Sequence, residues 1–384
     1  MALLPPLSKA NTSFCLDLLK VLGDEDKTKN IFFSPLSISS ALAMVMLGAR
    51  GNTANQMSEC LKTQVCKDGV HASFSQLLSE LNKTDAPYAL SVANRLYGEQ
   101  TYQFVEDFLG HTRKFYDAEL ESVDFVKSYE AARVTINNWV EKQTQGKIKD
   151  VLAPEVVNSL TRLVLVNAIY FKGNWNKQFQ ENATRDSQFR LNKNDTKPVK
   201  MMHQKSKFPL TYIPEASCQI LEMPYKGKEL SMLIFLPSET EDSITGLEKL
   251  EKELTYDNFV EWTRPDMMDE VEVQVGLPRF KMEQKYEMKN VLSGMGMVDA
   301  FDMAKSDFSG MSPVNDLVLS EVIHKAFVEV NEEGTEAAAA TAAVMMLRCA
   351  LRPAMFIADH PFIFFIRHNP SMSVLFAGRY CSPE

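Results

Sequence analysis

No apolar run in this 384-residue chain approaches the roughly 20 residues a helix needs to span a bilayer; the runs 163–166 and 168–171, separated by Asn167, are far too short. The first residues, Met1-Ala2-Leu3-Leu4-Pro5-Pro6-Leu7-Ser8, have neither a positively charged start nor a long apolar centre, so a standard cleavable signal peptide is not expected. Cysteine is sparse and scattered, at Cys15, Cys60, Cys66, Cys218, Cys349 and Cys381. No CxxC pair or zinc-ligand spacing occurs, so free thiols in a reducing compartment are expected rather than a disulfide framework or a metal site. In that setting the Asn-x-Ser/Thr sequons at Asn11, Asn82, Asn182 and Asn194 are chance matches. Positive charge is outnumbered, 41 Lys and Arg against 50 Asp and Glu, net −9, with no long basic stretch to neutralise a phosphate backbone. The catalytic and nucleotide-binding patterns GxSxG, HExxH, P-loop and GxGxxG are also missing, and Asp359-His360 stands near Ser371 and Ser373 only in sequence. No repeat or low-complexity linker marks a boundary, so one domain over residues 1–384 is expected.

The 45% hydrophobic and 24% charged content is that of a globular protein long enough to bury a large core, and 20 Met suit an adaptable one. The first third has helical periodicity. Phe14, Leu18, Leu19 and Leu22 lie three or four apart behind the cap candidates Ser8 and Asn11. Residues 34–48 form a second helix, opened by Pro35 and closed by Gly48; its apolar, small-residue surface predicts burial on nearly every side. Further amphipathic helices are predicted over 53–62, 104–116 and 129–145. Strand patterns then take over, with alternation at Leu90, Val92, Asn94 and Leu96, a buried central strand over 163–171, and strands at 229–237, 271–275, 326–330, 361–367 and 373–380. Helices followed by strands predict an α+β fold.

One segment breaks the pattern. By composition alone residues 335–347 read as an Ala-rich helix, since Ala, Met and Leu are strong helix formers. They follow a strand pattern and Gly334, contain no Pro or Gly, and carry one charge, Glu336.

Here the sequence resembles a known family. Glu332-Glu333-Gly334-Thr335-Glu336-Ala337-Ala338-Ala339-Ala340-Thr341 is similar to the proximal hinge of an inhibitory serpin. The 356–366 stretch FIADHPFIFFI is similar to the C-terminal serpin signature, 30–37 (NIFFSPLS) to the start of the family's second helix, and 165–175 (LVNAIYFKGNW) to its central strand. Together these resemblances cover essentially the whole chain in the expected order. The missing signal peptide and free cysteines resemble the ovalbumin-like, mostly intracellular branch, in particular its placental thrombin inhibitor and leukocyte elastase inhibitor types.

The resemblance implies a serpin fold of about nine helices on three β-sheets, with an exposed reactive loop over about 332–353. It implies an inhibitor of serine proteases rather than an enzyme. The protease attacks the loop, an acyl-enzyme forms, and the cut loop enters the main sheet as a new strand. By the family's hinge spacing Gly334 stands fourteen positions before the residue preceding the cut, which makes Arg348–Cys349 the reactive bond and trypsin-like proteases the preferred targets. Met345, Met346 and Leu347 offer earlier cuts to elastase-, chymotrypsin- or cathepsin G-like proteases. Insertion excludes Pro, and none occurs over 335–347. Thr335, Ala337, Ala339, Thr341, Ala343 and Met345 would share one face, all but the last small enough to enter a dense interior. Ser34, Ser37, Asn167 and His324 match the family's shutter, with His324 expected to bridge Asn167 and a serine hydroxyl. Trp175, Arg279 and Glu332 match its breach, with an Arg279–Glu332 ion pair expected. Cys349 is either a redox handle or a small tolerated residue. No cofactor, metal, nucleic acid or membrane partner is implied. Lys62, Lys67 and Lys83 are too sparse for a polyanion site. The expected state is a cytoplasmic monomer prone to loop–sheet polymerisation, with the nucleus and non-classical secretion as further destinations. The alternative is a non-inhibitory serpin serving as a storage, chaperone or binding protein, against which the small hinge residues argue.

Overall fold

The periodicities fold into nine α-helices and fourteen strands over the residues that a computed structural model describes, 5–238, 244–314, 316–334 and 352–384. Helix α1 (Pro6–Glu25) starts ahead of its expected caps because Pro6 takes a first-turn position, where no N–H is needed; Ser8 and Asn11 lie buried inside it instead. Helix α2 (Pro35–Met46) begins as predicted. The Ser34 hydroxyl accepts the Ser37 N–H at 3.2 Å, and almost the whole helix is buried. Then come α3 (Gly51–Cys60), α4 (Val70–Leu81), α5 (Glu106–Tyr116) and α6 (Phe125–Gln143). Helix α4 was not predicted, although Val70, Phe74, Leu77 and Leu81 form its buried stripe. Helix α6 starts before residue 129 because Asp124 caps it, accepting the Lys127 N–H at 2.9 Å; a kink at Ser128 separates that first turn from the periodic run. Three short helices, α7 (Glu248–Glu253), α8 (Tyr256–Trp262) and α9 (Met288–Gly294), complete the set.

One five-stranded sheet holds β2 (Tyr88–Glu99), β3 (Leu120–Val123), β4 (Leu163–Gly173), β10 (Phe280–Glu287) and β11 (Glu321–Val330) in the order β10-β11-β4-β2-β3. The nine-stranded sheet contains β1 (Ile31–Phe33), β5 (Arg185–Arg190), β6 (Thr196–Ile213), β7 (Cys218–Pro224), β8 (Leu230–Pro237), β9 (Asp269–Pro278), β12 (Ala354–Ile357), β13 (Phe362–His368) and β14 (Ser373–Tyr380). Strand β6 is long enough to pair in turn with β5, β9 and β7, so the second and third sheets implied by the resemblance are hydrogen-bonded into one.

Strand β4 is apolar on both faces apart from Asn167 and the terminal Lys172, because both its faces are covered. Leu163, Leu165, Ile169 and Phe171 enter the main core with α2, while Val164, Val166, Ala168 and Tyr170 enter a second core shared with α6. Successive side chains point to opposite faces, so the apolar residues either side of Asn167 serve two cores.

Candidate functional site

Strands β11 and β4 pair in parallel, from Glu321 opposite Val164 to Phe327 opposite Tyr170. Their outer neighbours, β10 and β2, pair with them antiparallel. Parallel ladders are slightly less stable per residue than antiparallel ones. A strand entering this seam antiparallel to both would replace one parallel ladder by two antiparallel ones. Among the described residues the parallel ladder ends at Phe327 and Tyr170, while β11 stays paired with β10 to Val330 and β4 with β2 to Gly173.

Beyond Val330 the chain reverses. Asn331 and Gly334 form an antiparallel bridge, with the Gly334 N–H 3.3 Å from the Asn331 carbonyl and the Asn331 N–H 3.4 Å from that of Gly334. The turn is fastened to the segment after β4. The Trp175 N–H donates to the Glu333 carbonyl at 2.9 Å and the Phe179 N–H to that of Glu332 at 2.8 Å. The Trp175 indole N–H reaches the Asn331 carbonyl at 3.0 Å, and its ring stacks on Tyr225 at 4.5 Å between centroids. Gly334 has φ +101°, and a Cβ there would meet the Trp175 nitrogen at 2.3 Å and the Gly173 oxygen at 2.6 Å. These are backbone atoms, and the conformation favours glycine on its own account. The expected Arg279–Glu332 pair is present at 3.4 Å, with Thr184 donating to the same Glu332 oxygen at 2.7 Å. Glu332 is buried but Arg279 is about half exposed, which limits the pair to about 1 kcal/mol.

Lower in the seam, Asn94, Asn167, His324 and Tyr286 stand directly opposite one another on four adjacent strands. His324 Nδ1 lies 2.6 Å from Asn167 Oδ1, and the Ser34 backbone N–H donates to His324 Nε2 at 3.1 Å. An Nε2 that accepts leaves the ring proton on Nδ1, donated to Asn167. The Asn167 amide nitrogen donates to the Ser37 hydroxyl at 2.7 Å. The expected bridge from His324 to a serine hydroxyl is therefore corrected: the serine supplies its backbone N–H, and the Ser34 hydroxyl donates to the Leu375 carbonyl at 2.6 Å. This follows from Ser34 capping α2, which turns its N–H toward β11. Burial lowers the His324 pKa to about 3, so the ring is neutral at ordinary pH. A second ring proton would also point Nε2–H at the Ser34 N–H.

The structure thus brings Ser34, Ser37, Asn167 and His324 into one hydrogen-bonded group, and Trp175, Arg279, Glu332, Glu333 and Gly334 into another at the end of the same seam. Thr335, Glu336, Ala337, Ala338, Ala339, Ala340, Met345, Met346, Leu347, Arg348 and Cys349 lie outside the described residues. Sequence reasoning missed Asn94, Tyr286, Thr184 and Tyr225, which join these groups only through strand register and packing. It also missed Glu99, a buried carboxylate that accepts the N–H groups of Phe125 and Val126 at 2.8 and 3.0 Å and so holds the start of α6. His360 is occupied by Asp359 and the Pro237 carbonyl, and His368 by Ser371, so these residues form two separate contacts rather than a triad. Among the described residues no cluster of three or more His, Cys, Asp or Glu could hold a metal ion, and no helix is long and apolar enough to cross a membrane.

Comparison with known proteins bears on this arrangement. The family described as Serpin (serine protease inhibitor) matches residues 9–383. Leukocyte elastase inhibitor of Equus caballus is 56% identical over 98% of this chain and 99% of its own length. Serpin B6 of Macaca fascicularis is 55% identical over the same shares. Among solved structures, uncleaved ovalbumin superposes with a TM-score of 0.90 at 37% identity, covering 99% of this chain and 100% of that one. Maspin gives 0.90 at 38% identity, covering 98% of each.

Proposed function

The chain belongs to the serpin family of serine protease inhibitors, in its ovalbumin-like branch, and from that premise we propose that it traps its target by drawing a severed loop into the seam between β11 and β4. The protease's serine oxygen forms an ester with the carbonyl before the cut, the new amino terminus leaves, and the protease's own base carries the proton between them. The freed segment behind Gly334 then enters the sheet, carrying the attached protease away before water hydrolyses the ester. The observation that carries this reading is the turn at Asn331–Gly334. It supplies the reversal that an antiparallel strand beside β11 requires, and it is fastened to the end of β4.

The names of the relatives speak for an elastase-type target, which a cut after Met345, Met346 or Leu347 would serve. They lend no support to the trypsin-like preference expected from Arg348. A cut at Arg348–Cys349 remains the second reading, favoured by its distance of fourteen positions from Gly334. Cys15, Cys60, Cys66, Cys218 and Cys381 are free thiols, which suits a reducing intracellular setting.

Mass spectrometry of boiling-resistant complexes formed with elastase-, cathepsin G- and trypsin-like proteases tests both points. A covalent adduct with a released peptide beginning at residue 346, 347 or 348 supports the elastase-type reading; one beginning at Cys349 supports the other. Cleaved chain without any adduct would overturn the trapping mechanism and favour a non-inhibitory role.

A further inference from the structure

A strand can enter the five-stranded sheet only if β4 and β11 part, so every contact that spans their seam resists entry. On the face toward the main core the spanning contact is the hydrogen bond between His324 and Asn167. Three rungs further along, and therefore on the opposite face, Phe327 stands directly opposite Tyr170. This is the last rung of the parallel ladder, at the end of the seam nearest the Asn331–Gly334 turn.

The two rings are in contact, their centroids 5.6 Å apart and their planes inclined by 45°. Among the described residues this is the one ring contact that joins β4 to β11. Tyr170 is buried in the core shared with α6, and Phe327 packs against that core from the neighbouring strand. The rungs below it on this face set Ala168 opposite Lys325 and Val166 opposite Ile323, with no ring on either strand. The outer neighbours at the same level are Ser91 of β2 and Glu283 of β10, so neither ring has another aromatic partner beside it in the sheet. Lys147, in the loop that leaves α6, lies over the Tyr170 ring at 5.6 Å from its centre, which seats that loop on the same pair.

Adjacent strands lie about 4.8 Å apart, so a strand placed between β4 and β11 would set them at about twice that distance. Ring pairs interact at centroid separations of about 4.5–7 Å. The contact would therefore be lost whole rather than stretched. Because entry starts from the turn, it would also be lost before the His324–Asn167 bond.

We infer that Tyr170 and Phe327 form an aromatic clasp that sets the rate at which the seam admits a strand. Both are positioning residues, since neither touches the protease or the bond it cuts. The clasp rests on the insertion reading given above, whose entry step it governs. A contact present in the closed seam and absent once the seam opens slows opening, and its removal speeds it.

The test uses the intact, uncut protein and a synthetic peptide of its own residues 335–347, with no protease present. Uptake is timed by native gel shift and by the rise in unfolding temperature that a bound strand produces. Phe327→Leu and Tyr170→Leu should each take up the peptide about three- to tenfold faster than the wild type, in line with the strength of one aromatic pair. The double substitution should be no faster than either alone, because each removes the same contact. Phe327→Tyr, which keeps a ring, should retain the slow rate. Uptake at the wild-type rate by both leucine variants, or a double variant whose acceleration is the product of the two, would overturn the clasp and leave insertion standing. No uptake by the wild type or by either variant would overturn the insertion reading, and the clasp with it.

Discussion

His324 holds the seam with one neutral ring, accepting from α2 on one side and donating to β4 on the other. Its pKa is lowered by burial to about 3, against an ordinary value of 6.5. The unfolded chain therefore takes up a proton as the pH falls below 6.5, while the folded ring stays neutral until about 3. The stability that the neutral ring contributes is complete above pH 6.5 and is lost progressively as the pH falls toward 3. His71, lowered to about 4 by burial, acts in the same sense. His324→Gln should flatten, without abolishing, the decline of unfolding temperature between pH 6.5 and 4, measured by calorimetry against the wild type. An undiminished slope would mean that other groups carry it. Gly334 is the second residue on which the seam depends. Gly334→Val should destabilise the protein by about 1–3 kcal/mol through backbone strain at positive φ, because neither Trp175 nor Gly173 can move its backbone aside. Denaturant unfolding measures the loss.

Strands β4 and β11 and the segment that follows them show how much of the elements could be read from the sequence. The apolar run of β4, broken only by Asn167 before Lys172, was readable because burial on both faces leaves no polar alternation, and α2 was readable from its Pro35 start and small apolar surface. Strand β11 was recognised only from 326 onward, since His324 and Lys325 interrupt its apolar pattern; His324 is inside because Ser34 and Asn167 satisfy it, a fact of tertiary structure. Strand β6 was missed because Lys197, Lys200, Lys205 and Lys207 break up its apolar residues, and its strand character comes from its three partners. The shutter and breach residues were found through family resemblance. Strand register then added Asn94 and Tyr286, which local sequence could not indicate. At this scale the proposed insertion makes its own demand. Thr335 is the first residue beyond the Gly334 turn, and a long charged side chain there would have to enter the main core. Thr335→Arg should lengthen the time to form covalent complex and raise the fraction of inhibitor released as cleaved chain, read from gel densitometry at fixed protease. An unchanged partition would contradict the hinge assignment.

Over the whole molecule, the proposed insertion requires a native fold that is not its own most stable arrangement. The five-stranded sheet contains a parallel seam between two antiparallel pairs, and the chain leaving that seam joins the nine-stranded sheet through β12, parallel to β9. While residues 335–351 stay covalently continuous they must connect one sheet to the other. A cut removes that restraint, and the segment behind Gly334 can then complete backbone hydrogen bonds on both its edges. Persistence of the uncut form is then a matter of rate, set by how readily the hydrogen bonds of His324 and Asn167 part. Thermal unfolding before and after a single cut within residues 335–351 tests this most directly. The account predicts that the cut protein unfolds at a higher temperature, by about 5 °C or more given several kcal/mol of added stability in a chain this large. An unfolding temperature equal to or below that of the uncut protein would contradict it.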